Sequence, residues 1–387
     1  MRDAELSEFR EQFLLEQGVH FLNHGSFGAC PQPVFDEYQR IQLELQRQPV
    51  RFLGREFRDR MAGARTELAA YVGVDANDLV YVLNATTGLN IVAKSLDLQP
   101  GDEVLGTDHE YGALDRTWSF VCQQHGARYA RAPISVPIVS ADEVVEQVWS
   151  HVTERTRVLF LSHITSPTAV ILPIEPLIAK ARAAGILTVI DGAHAPGQIP
   201  LDLDALGADV YAGNCHKWMM APKGAGFLHV RREMQKLVDP LVVSWGWESE
   251  QPSSSRFVDY HEWQGTRDIS AFLTVPAAIR YMQENDWDAV QAQCRHLLQA
   301  FIPQILAATG QAPIAPNAAQ WQAQMVSFIL PTDDWQGVKT RLYDNYSIEA
   351  PTIWWNNKTL LRISVNAYNT ARELEQLARA LSEIVAK

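Results

Sequence analysis

Apolar residues in the middle of the chain form short unbroken runs, and each run is followed by a segment with helical spacing of its apolar positions. The runs are LVYVL, DEVLGT, RVLFLSH, LTVID, DVYAGN and GAGFLHV. Strands that alternate with helices predict right-handed crossovers and a mostly parallel sheet. Because the runs do not alternate apolar with polar residues, we expect helices to cover both faces of this sheet.

The flanking regions follow other patterns. Apolar spacing of three and four predicts a first helix near Asp3–Glu16 and two more near Pro33–Gln48 and Arg55–Val72. Residues 244–268 are polar and aromatic with little periodicity, which predicts a long functional loop closing the first domain. The later predicted elements, which form a smaller α+β domain, are helices near Ile269–Glu284 and Asp286–Ala308, a strand QMVSFIL, a helix near Asp334–Tyr343, a strand LLRISVN and a helix Arg372–Val385.

Composition narrows the class of protein. A chain of 387 residues is long enough for two domains. Its net charge of −12 argues against a nucleic-acid or anionic membrane partner. The four cysteines are far apart, without a CxxC pair, so we expect no metal site and no disulfides, and reduced thiols in the cytoplasm. No apolar run approaches the roughly 18 residues of a membrane helix.

Two residues that end or follow predicted strands carry the main chemical signal, because ligands of open α/β sheets gather at the carboxyl ends of strands. Asp191 ends LTVID, and a buried carboxylate there needs a cationic partner such as a protonated pyridine nitrogen. Taken alone, a helix-capping Asp is the favoured explanation. Lys217 follows DVYAGN, where desolvation favours Schiff-base chemistry, although most single lysines are surface residues. The two residues together are more specific than either alone.

Other segments leave alternatives open. Thr86 and Thr87 follow LVYVL and could hold a phosphate at a helix N-terminus or act as an ordinary cap. No dinucleotide or P-loop motif is present. His109 and Tyr111 could each stack on a flat cofactor ring or pack as partly buried aromatic residues. Arg362, within an apolar strand, should pair with a carboxylate, either an internal acid or the α-carboxylate of a substrate.

Together, VIDGAHAPG, HKWMMAPKGAGFL, NATTG, DHEYGALDRTW and GTRD resemble the class V aminotransferase family of fold-type-I pyridoxal 5′-phosphate (PLP) enzymes. Within it, the chain is most similar to isopenicillin N epimerase-like proteins. The resemblance implies a PLP-dependent transferase-like large domain with a mostly parallel seven-stranded sheet and a smaller α+β C-terminal domain. The implied division is a segment 1–20 packing on the small domain, a PLP-binding domain 21–267 and a small domain 268–387.

The resemblance also implies roles for individual residues. Lys217 would carry PLP covalently, Asp191 would contact its pyridine nitrogen, and His194 would lie near its phenolic oxygen. Tyr111 or His109 would stack on its ring. The implied phosphate ligands are Thr86, Thr87, Asn214 and His216, with Thr266 reaching the phosphate of a partner subunit in a homodimer whose active sites lie at the interface. The implied residues around an amino-acid substrate are Arg362, Asn23, His24 and Ser166, of which the last three also suit ordinary turn or capping roles.

The preferred hypothesis is an amino-acid epimerase or racemase. Lys217 would be the base on one face of the α-carbon, and Tyr111, His109 or His24 the acid on the other. A C–S or β-lyase of a cysteine-derived substrate, a transaminase and a PLP-binding regulatory protein are the alternatives. A cysteine desulfurase is disfavoured, because such enzymes use a Cys on a loop of the C-terminal domain and this chain has none after Cys294, itself in a predicted helix.

Overall fold

The computed structural model describes residues 9–385. The strands are β1 (His20–Phe21), β2 (Leu79–Val82), β3 (Glu103–Thr107), β4 (Arg128–Ala132), β5 (Thr156–Ser162), β6 (Leu187–Gly192), β7 (Val210–Asn214), β8 (Gly226–Val230), β9 (Met325–Leu330), β10 (Ile348–Glu349), β11 (Thr352–Trp355) and β12 (Lys358–Ser364). The α-helices are α1 (His24–Phe27), α2 (Gln32–Arg47), α3 (Phe57–Val72), α4 (Ala85–Ser95), α5 (Gly112–His125), α6 (Ala141–Trp149), α7 (Ile174–Ala183), α8 (Leu203–Leu206), α9 (Arg256–Glu262), α10 (Ser270–Leu273), α11 (Val275–Glu284), α12 (Trp287–Thr309), α13 (Trp335–Tyr346) and α14 (Ala371–Val385).

A seven-stranded sheet forms the centre of the molecule, with the strand order β2-β8-β7-β6-β5-β3-β4. Its strand pairs are parallel except for β8, which is antiparallel to both of its neighbours. The prediction of a mostly parallel seven-stranded sheet is confirmed.

Successive residues of the central strands contribute to two different hydrophobic cores. In β5, Leu159 and Leu161 belong to the larger core, whereas Val158 and Phe160 belong to a second core on the other face. Since side chains alternate between the faces of a sheet, a strand covered on both faces must be apolar throughout. This explains the unbroken apolar runs of the sequence.

The C-terminal part contains a smaller, three-stranded antiparallel sheet with the order β11-β12-β9, which confirms the predicted second α+β unit. Its helices α12 and α14 pack against each other. Near the start of the described residues, β1 pairs in parallel with β10, and Phe13 packs against Tyr368. The domain boundaries at residues 20 and 267 stay predictions. Across the described residues, no helix has the length and apolar composition needed to cross a membrane.

Several elements differ from the predictions. The predicted helix Asp3–Glu16 falls partly outside the described residues, and beyond residue 10 the chain leaves the helix so that Phe13 can bridge to Pro31. The predicted loop 244–268 contains helix α9, which Ser255 caps by accepting a hydrogen bond from the Val258 amide. The elements β4, α6 and β11 were not predicted.

Candidate active site

Polar side chains from several strands meet at the carboxyl edge of the large sheet. Thr107 ends β3, Ser162 ends β5 and Asn214 ends β7, while Asp191 lies one residue before the end of β6. Ser162 and Asp191 are register partners on adjacent strands. Parallel strand order therefore brings together residues that are more than one hundred positions apart in sequence.

Lys217 lies in the connection between β7 and β8, residues 215–225. Its Nζ lies 3.0 Å from Nε2 of His194, and the Trp218 indole N–H donates to Nδ1 of the same His194 ring over 3.4 Å. With Nδ1 accepting, the neutral His194 imidazole carries its proton on Nε2 and donates it to a neutral Lys217 amine. The backbone carbonyl of Lys217 lies 3.0 Å from Nε2 of His24, whose ring also contacts Trp218.

The surroundings of Lys217 favour its neutral amine. Burial and, to a smaller extent, the positive charge of Arg362 lower the pKa of Lys217 to about 7, against the opposing charge of Asp191. Burial together with the charge of Lys217 lowers the pKa of His194 well below its usual range. An amine that is about half neutral at pH 7 is available as a nucleophile and a base, which the usual surface lysine is not.

Asp191 is a buried carboxyl group, 4% exposed, without a cationic partner within salt-bridge distance among residues 9–385. One of its oxygens accepts a hydrogen bond from the Ala193 amide at 2.9 Å. Burial raises the pKa of Asp191, while the Ala193 amide and the charge of Lys217 oppose this rise. A cationic group bound beside it would complete its interactions.

Arg362 extends from β12 of the smaller sheet into the same region. Its Nη1 donates to the backbone carbonyl of Ser166 at 2.7 Å, and its Nη2 donates to Oγ of Ser26 at 2.9 Å. Its Nε is buried and has no hydrogen-bond partner within the described part of the chain. Burial lowers the pKa of Arg362 to about 10. Since no carboxylate pairs with it there, the guanidinium can bind an external one.

A cavity of about 450 Å³ is lined by both Lys217 and Arg362, whereas Asp191 and His194 are not among the described residues that line it. Of the predicted residues, Lys217, Arg362, Ser166 and Tyr111 line it, and Trp354 and Trp355 contribute apolar surface. An amine and a guanidinium at one cavity suit a small anionic substrate. A larger cavity of about 740 Å³ lies near Trp245, but neither of these two cations lines it.

The predicted phosphate ligands surround the N-terminus of α4. Oδ1 of Asn214 accepts the Ala85 amide at 2.8 Å, and Oδ1 of Asn84 accepts both the amide and the hydroxyl of Thr87 at 2.8 and 3.1 Å. Nδ1 of His216 lies 3.0 Å from the Ala225 carbonyl. Asn214 and His216 thus fix the backbone around a helix N-terminus, which is a favourable place for a phosphate.

Other predicted residues lie apart from the cavity wall. Nδ1 of His109 contacts Oγ1 of Thr168 at 2.7 Å, its ring packs edge-on against Trp355, and it is not among the described residues that line the cavity. Nδ1 of His24 lies 2.8 Å from the hydroxyl of Tyr368. The Asn23 amide donates to Glu349 at 3.0 Å. Thr266 is exposed and lies outside the cavity.

Sequence reasoning did not identify two residues of this region. Ser26 binds Arg362, although nothing in the segment HGSFG marks its hydroxyl as a partner of a strand 336 residues away. Glu110 lines the cavity, and its position between His109 and Tyr111 in the segment DHEYGA was the available signal.

Comparisons with known proteins agree with this geometry. The aminotransferase class-V family model matches residues 28–377. Isopenicillin N epimerase of Amycolatopsis lactamdurans is 37% identical over 389 residues, with 97% of each chain covered. The enzyme of the same name from Streptomyces clavuligerus is 34% identical over 397 residues, with 99% of each chain covered. A solved structure of the cystine C–S lyase C-DES with its reaction product cysteine persulfide has a TM-score of 0.81 at 23% identity, covering 95% of this chain and 98% of that chain. The predicted family and fold type are confirmed: the chain belongs to the class V aminotransferase family of PLP-dependent enzymes.

Proposed function

We propose that this enzyme epimerises the α-carbon of an amino acid or of a molecule with an amino-acid end, in the manner named for its isopenicillin N epimerase relatives. The observation that carries the proposal is the placement at one cavity of the Lys217 amine, with its lowered pKa, and of the Arg362 guanidinium, which pairs with no carboxylate among residues 9–385. Near-complete coverage of two epimerases at 34–37% identity supports it.

The described residues fit the cofactor of the family. Lys217 would bind it covalently, and the carboxylate of Asp191 would pair with its protonated ring nitrogen, which supplies the cation that Asp191 lacks. His194 would lie beside its phenolic oxygen. Of the two candidates for stacking on its ring, Tyr111 lines the cavity and is proposed over His109. When bound, PLP withdraws electrons from the α-carbon of an attached amino acid and so acidifies its hydrogen.

The cofactor phosphate would bind at the N-terminus of α4. We propose Thr86, Thr87 and His216 as its ligands, with Asn214 holding the amide of Ala85 in place. Helix N-termini attract phosphate because their first amide groups lack intrahelical acceptors. At α4 the Ala85 and Thr87 amides already donate to Asn214 and Asn84, so the Thr86 amide and hydroxyl are the main donors that we propose for the phosphate.

The chain's own residues would bind the substrate and move its proton. Arg362 would hold the α-carboxylate through the N–H groups that face the cavity, with Ser26 and Ser166 keeping the guanidinium in position. Asn23 and His24 would support the adjoining wall from behind. The amine of Lys217 would accept the α-hydrogen as a proton at Nζ, for which its lowered pKa is suited.

The direct test incubates the purified PLP-loaded protein in D₂O with isopenicillin N and with a panel of L- and D-amino acids. We expect an inverted product that carries deuterium on the α-carbon, detected by chiral chromatography with mass spectrometry. If every substrate keeps its configuration and α-hydrogen, the proposal is wrong. Pyruvate or sulfide released from cysteine derivatives would instead identify a β-lyase.

A desulfurase reaction has no support at this cavity. Three of the cysteines, Cys122, Cys215 and Cys294, are buried, and none of the four lines the cavity. The nucleophilic thiol of such an enzyme must reach the substrate, so these positions are unsuitable.

We further propose a cytoplasmic homodimer with active sites at the subunit interface. All four cysteines are free, as is usual in a reducing compartment. The side chains of Trp245 and Val243 are 85% and 65% exposed, respectively, and an apolar surface of this kind suits contact with a second subunit. Thr266, also exposed, would then reach the phosphate bound by the partner subunit.

A further inference from the structure

Glu110 is a buried carboxyl group at the cavity, and the function proposed above gives it no task. It is 4% exposed and accepts hydrogen bonds from the hydroxyl of Thr107 at 2.7 Å and from the hydroxyl of Ser162 at 2.5 Å. No Lys or Arg of residues 9–385 forms a salt bridge with it, and the charges that most affect it are those of the acids Asp191 and Asp115. The cations Lys217, Arg362 and Arg131 line the same cavity without pairing with it.

These surroundings keep a proton on Glu110. Burial raises its pKa to about 8 against the opposing effect of the two hydroxyl groups, and the charges of Asp191 and Asp115 add to the rise. A carboxylic acid with a pKa near the working pH is a suitable general acid, because it holds a proton and can also release it.

The position of Glu110 complements that of Lys217. Lys217 follows β7, which pairs with one side of β6. Glu110 follows β3 and accepts a hydrogen bond from Ser162 of β5. Strand β5 pairs with the other side of β6. Asp191 lies on β6, between these two approaches. Lys217 and Glu110 therefore come from opposite sides of β6 in the strand order, and both line the same cavity.

The other acids considered from the sequence are less suited. Nε2 and Nδ1 of His109 have contacts to the Ile134 carbonyl and to Thr168. Burial lowers the pKa of His24 to about 3, so that its ring carries no spare proton at neutral pH. Tyr111 lines the cavity but is 45% exposed to solvent. Glu110 is the cavity acid that burial shields from bulk water.

We propose that Glu110 is the proton donor that acts opposite Lys217 and gives the α-carbon its new hydrogen, an inference that rests on the proposed epimerase function. The α-hydrogen leaves as a proton bound to Nζ of Lys217, and the electron pair of the broken C–H bond forms a new C–H bond with the proton of Glu110. The reaction ends with an ammonium and a carboxylate, and no electrons are gained or lost. For the opposite enantiomer the two groups exchange roles.

The test compares Glu110→Gln with Glu103→Gln in the PLP-loaded enzyme in D₂O. Glu103 is a matched control because it begins the strand that Glu110 follows, is buried, and also accepts a threonine hydroxyl, that of Thr156 at 3.0 Å. We expect Glu110→Gln to lower the rate of inversion by roughly 10²- to 10⁴-fold, the usual contribution of one general acid. In Glu110→Gln, Lys217 should still exchange the α-hydrogen for deuterium with retention of configuration. Glu103→Gln should invert the substrate at the wild-type rate.

A second readout is independent of turnover. Glu110 has a pKa of about 8 in the folded protein, against an ordinary value of 4.5 in the unfolded chain. Between these two values the folded state holds a proton that the unfolded state releases, so the free energy of unfolding falls as the pH rises. The thermal midpoint of the wild-type protein should therefore fall over this range relative to that of Glu110→Gln. Asp191, Asp115, Tyr129 and Lys217 also face this region, and they are common to both proteins.

The outcomes separate the two proposals. If Glu110→Gln inverts the substrate at the wild-type rate, the role of Glu110 is wrong, while the epimerase proposal stands. The same conclusion follows if Tyr111→Phe, and not Glu110→Gln, loses inversion while it still exchanges the α-hydrogen. If the wild-type enzyme exchanges the α-hydrogen only with retention, both proposals are wrong. Should Glu110→Gln not fold, Glu110→Asp retains an acid one carbon shorter and should invert more slowly while exchange continues.

Discussion

The single amine of Lys217 is expected to control how the enzyme captures its cofactor. Its pKa of about 7 means that the neutral, reactive amine increases about tenfold per pH unit below that value and levels off above it. We predict that the rate at which apo-protein binds PLP follows this curve between pH 5.5 and 9, as measured by stopped-flow absorbance. Arg362→Leu removes a positive charge that lowers this pKa, so its curve should shift to higher pH. A rate that keeps rising through pH 9 in the wild-type protein would contradict the assignment.

Arg362 allows a prediction about substrate affinity. Arg362→Lys retains the positive charge. Its single ammonium group cannot donate to both Ser26 and Ser166 and also form a bidentate hydrogen bond with a carboxylate. The loss of a charged hydrogen bond, about 1.5–3 kcal/mol, corresponds to a KM that is roughly 10- to 160-fold higher. Steady-state kinetics should show this rise with a smaller change in kcat, and an unchanged KM would exclude Arg362 as the carboxylate site.

At the scale of elements, the turn after α1 supports the segment that carries Lys217. Gly28 has a φ of +70°, and a Cβ there would lie 2.1 Å from the His216 carbonyl oxygen and 2.9 Å from Cα of Lys217. The side chain of Lys223 donates to the Gly28 carbonyl at 2.9 Å, which holds the two segments together. The close backbone approach therefore requires glycine.

Gly28→Ala should consequently weaken both stability and cofactor binding. Gly18→Ala is the matched control, since Gly18 has a φ of +83° but a Cβ added there would meet no atom within 4 Å. Both variants incur about 1–2 kcal/mol of backbone strain, and Gly28→Ala must also displace the Lys217 segment. We expect the thermal midpoint to fall further in Gly28→Ala than in Gly18→Ala. We expect the Kd for PLP to rise only in Gly28→Ala. Equal effects would show that the contact with Lys217 is unimportant.

The sequence predicted those helices and strands whose burial produces a recognisable spacing of apolar residues. Strands β5 and β6 are buried on both faces and read as apolar runs, and Asp191 at the end of β6 was identified for that reason. Strand β4 was missed because it lies at the sheet edge, where its residues RYARA include two exposed arginines and form no apolar run. The contacts of Arg362 to Ser26 and Ser166 were also missed, because a hydroxyl and a carbonyl from segments distant in sequence hold it, whereas the sequence predicted only a carboxylate partner, internal or from the substrate.

For the whole molecule, the site depends on contacts between the large sheet and the C-terminal part. Arg362 comes from β12, and His24, whose ring contacts the Lys217 carbonyl, is itself bound by Tyr368 and Asn366. Displacement of the smaller sheet would therefore move both the substrate-binding cation and the backbone of Lys217. We infer that the two parts must be packed together before substrate can bind productively.

The proposed homodimer makes a prediction that a monomer cannot satisfy. If Thr266 reaches the phosphate bound by the partner subunit, Thr266→Asp should repel that phosphate and weaken PLP binding, while Lys217→Ala abolishes turnover. The two variants are mixed under conditions that exchange subunits, at a PLP concentration too low to load Thr266→Asp alone, and this creates heterodimers. In these, one site combines Lys217 from one chain with Thr266 from the other, and the second site carries both substitutions.

Such a mixture should recover activity, up to half that of the wild-type enzyme per heterodimer, because one of its two sites is intact. Light scattering should show a dimer for each variant alone, which verifies that loss of activity does not come from loss of assembly. Lys217→Ala mixed with Lys217→Ala is the control without recovery. If Thr266 acted within its own chain, every site of the heterodimer would lack either the amine or the hydroxyl, and no activity would return. Recovery on mixing therefore distinguishes a shared active site from two independent ones.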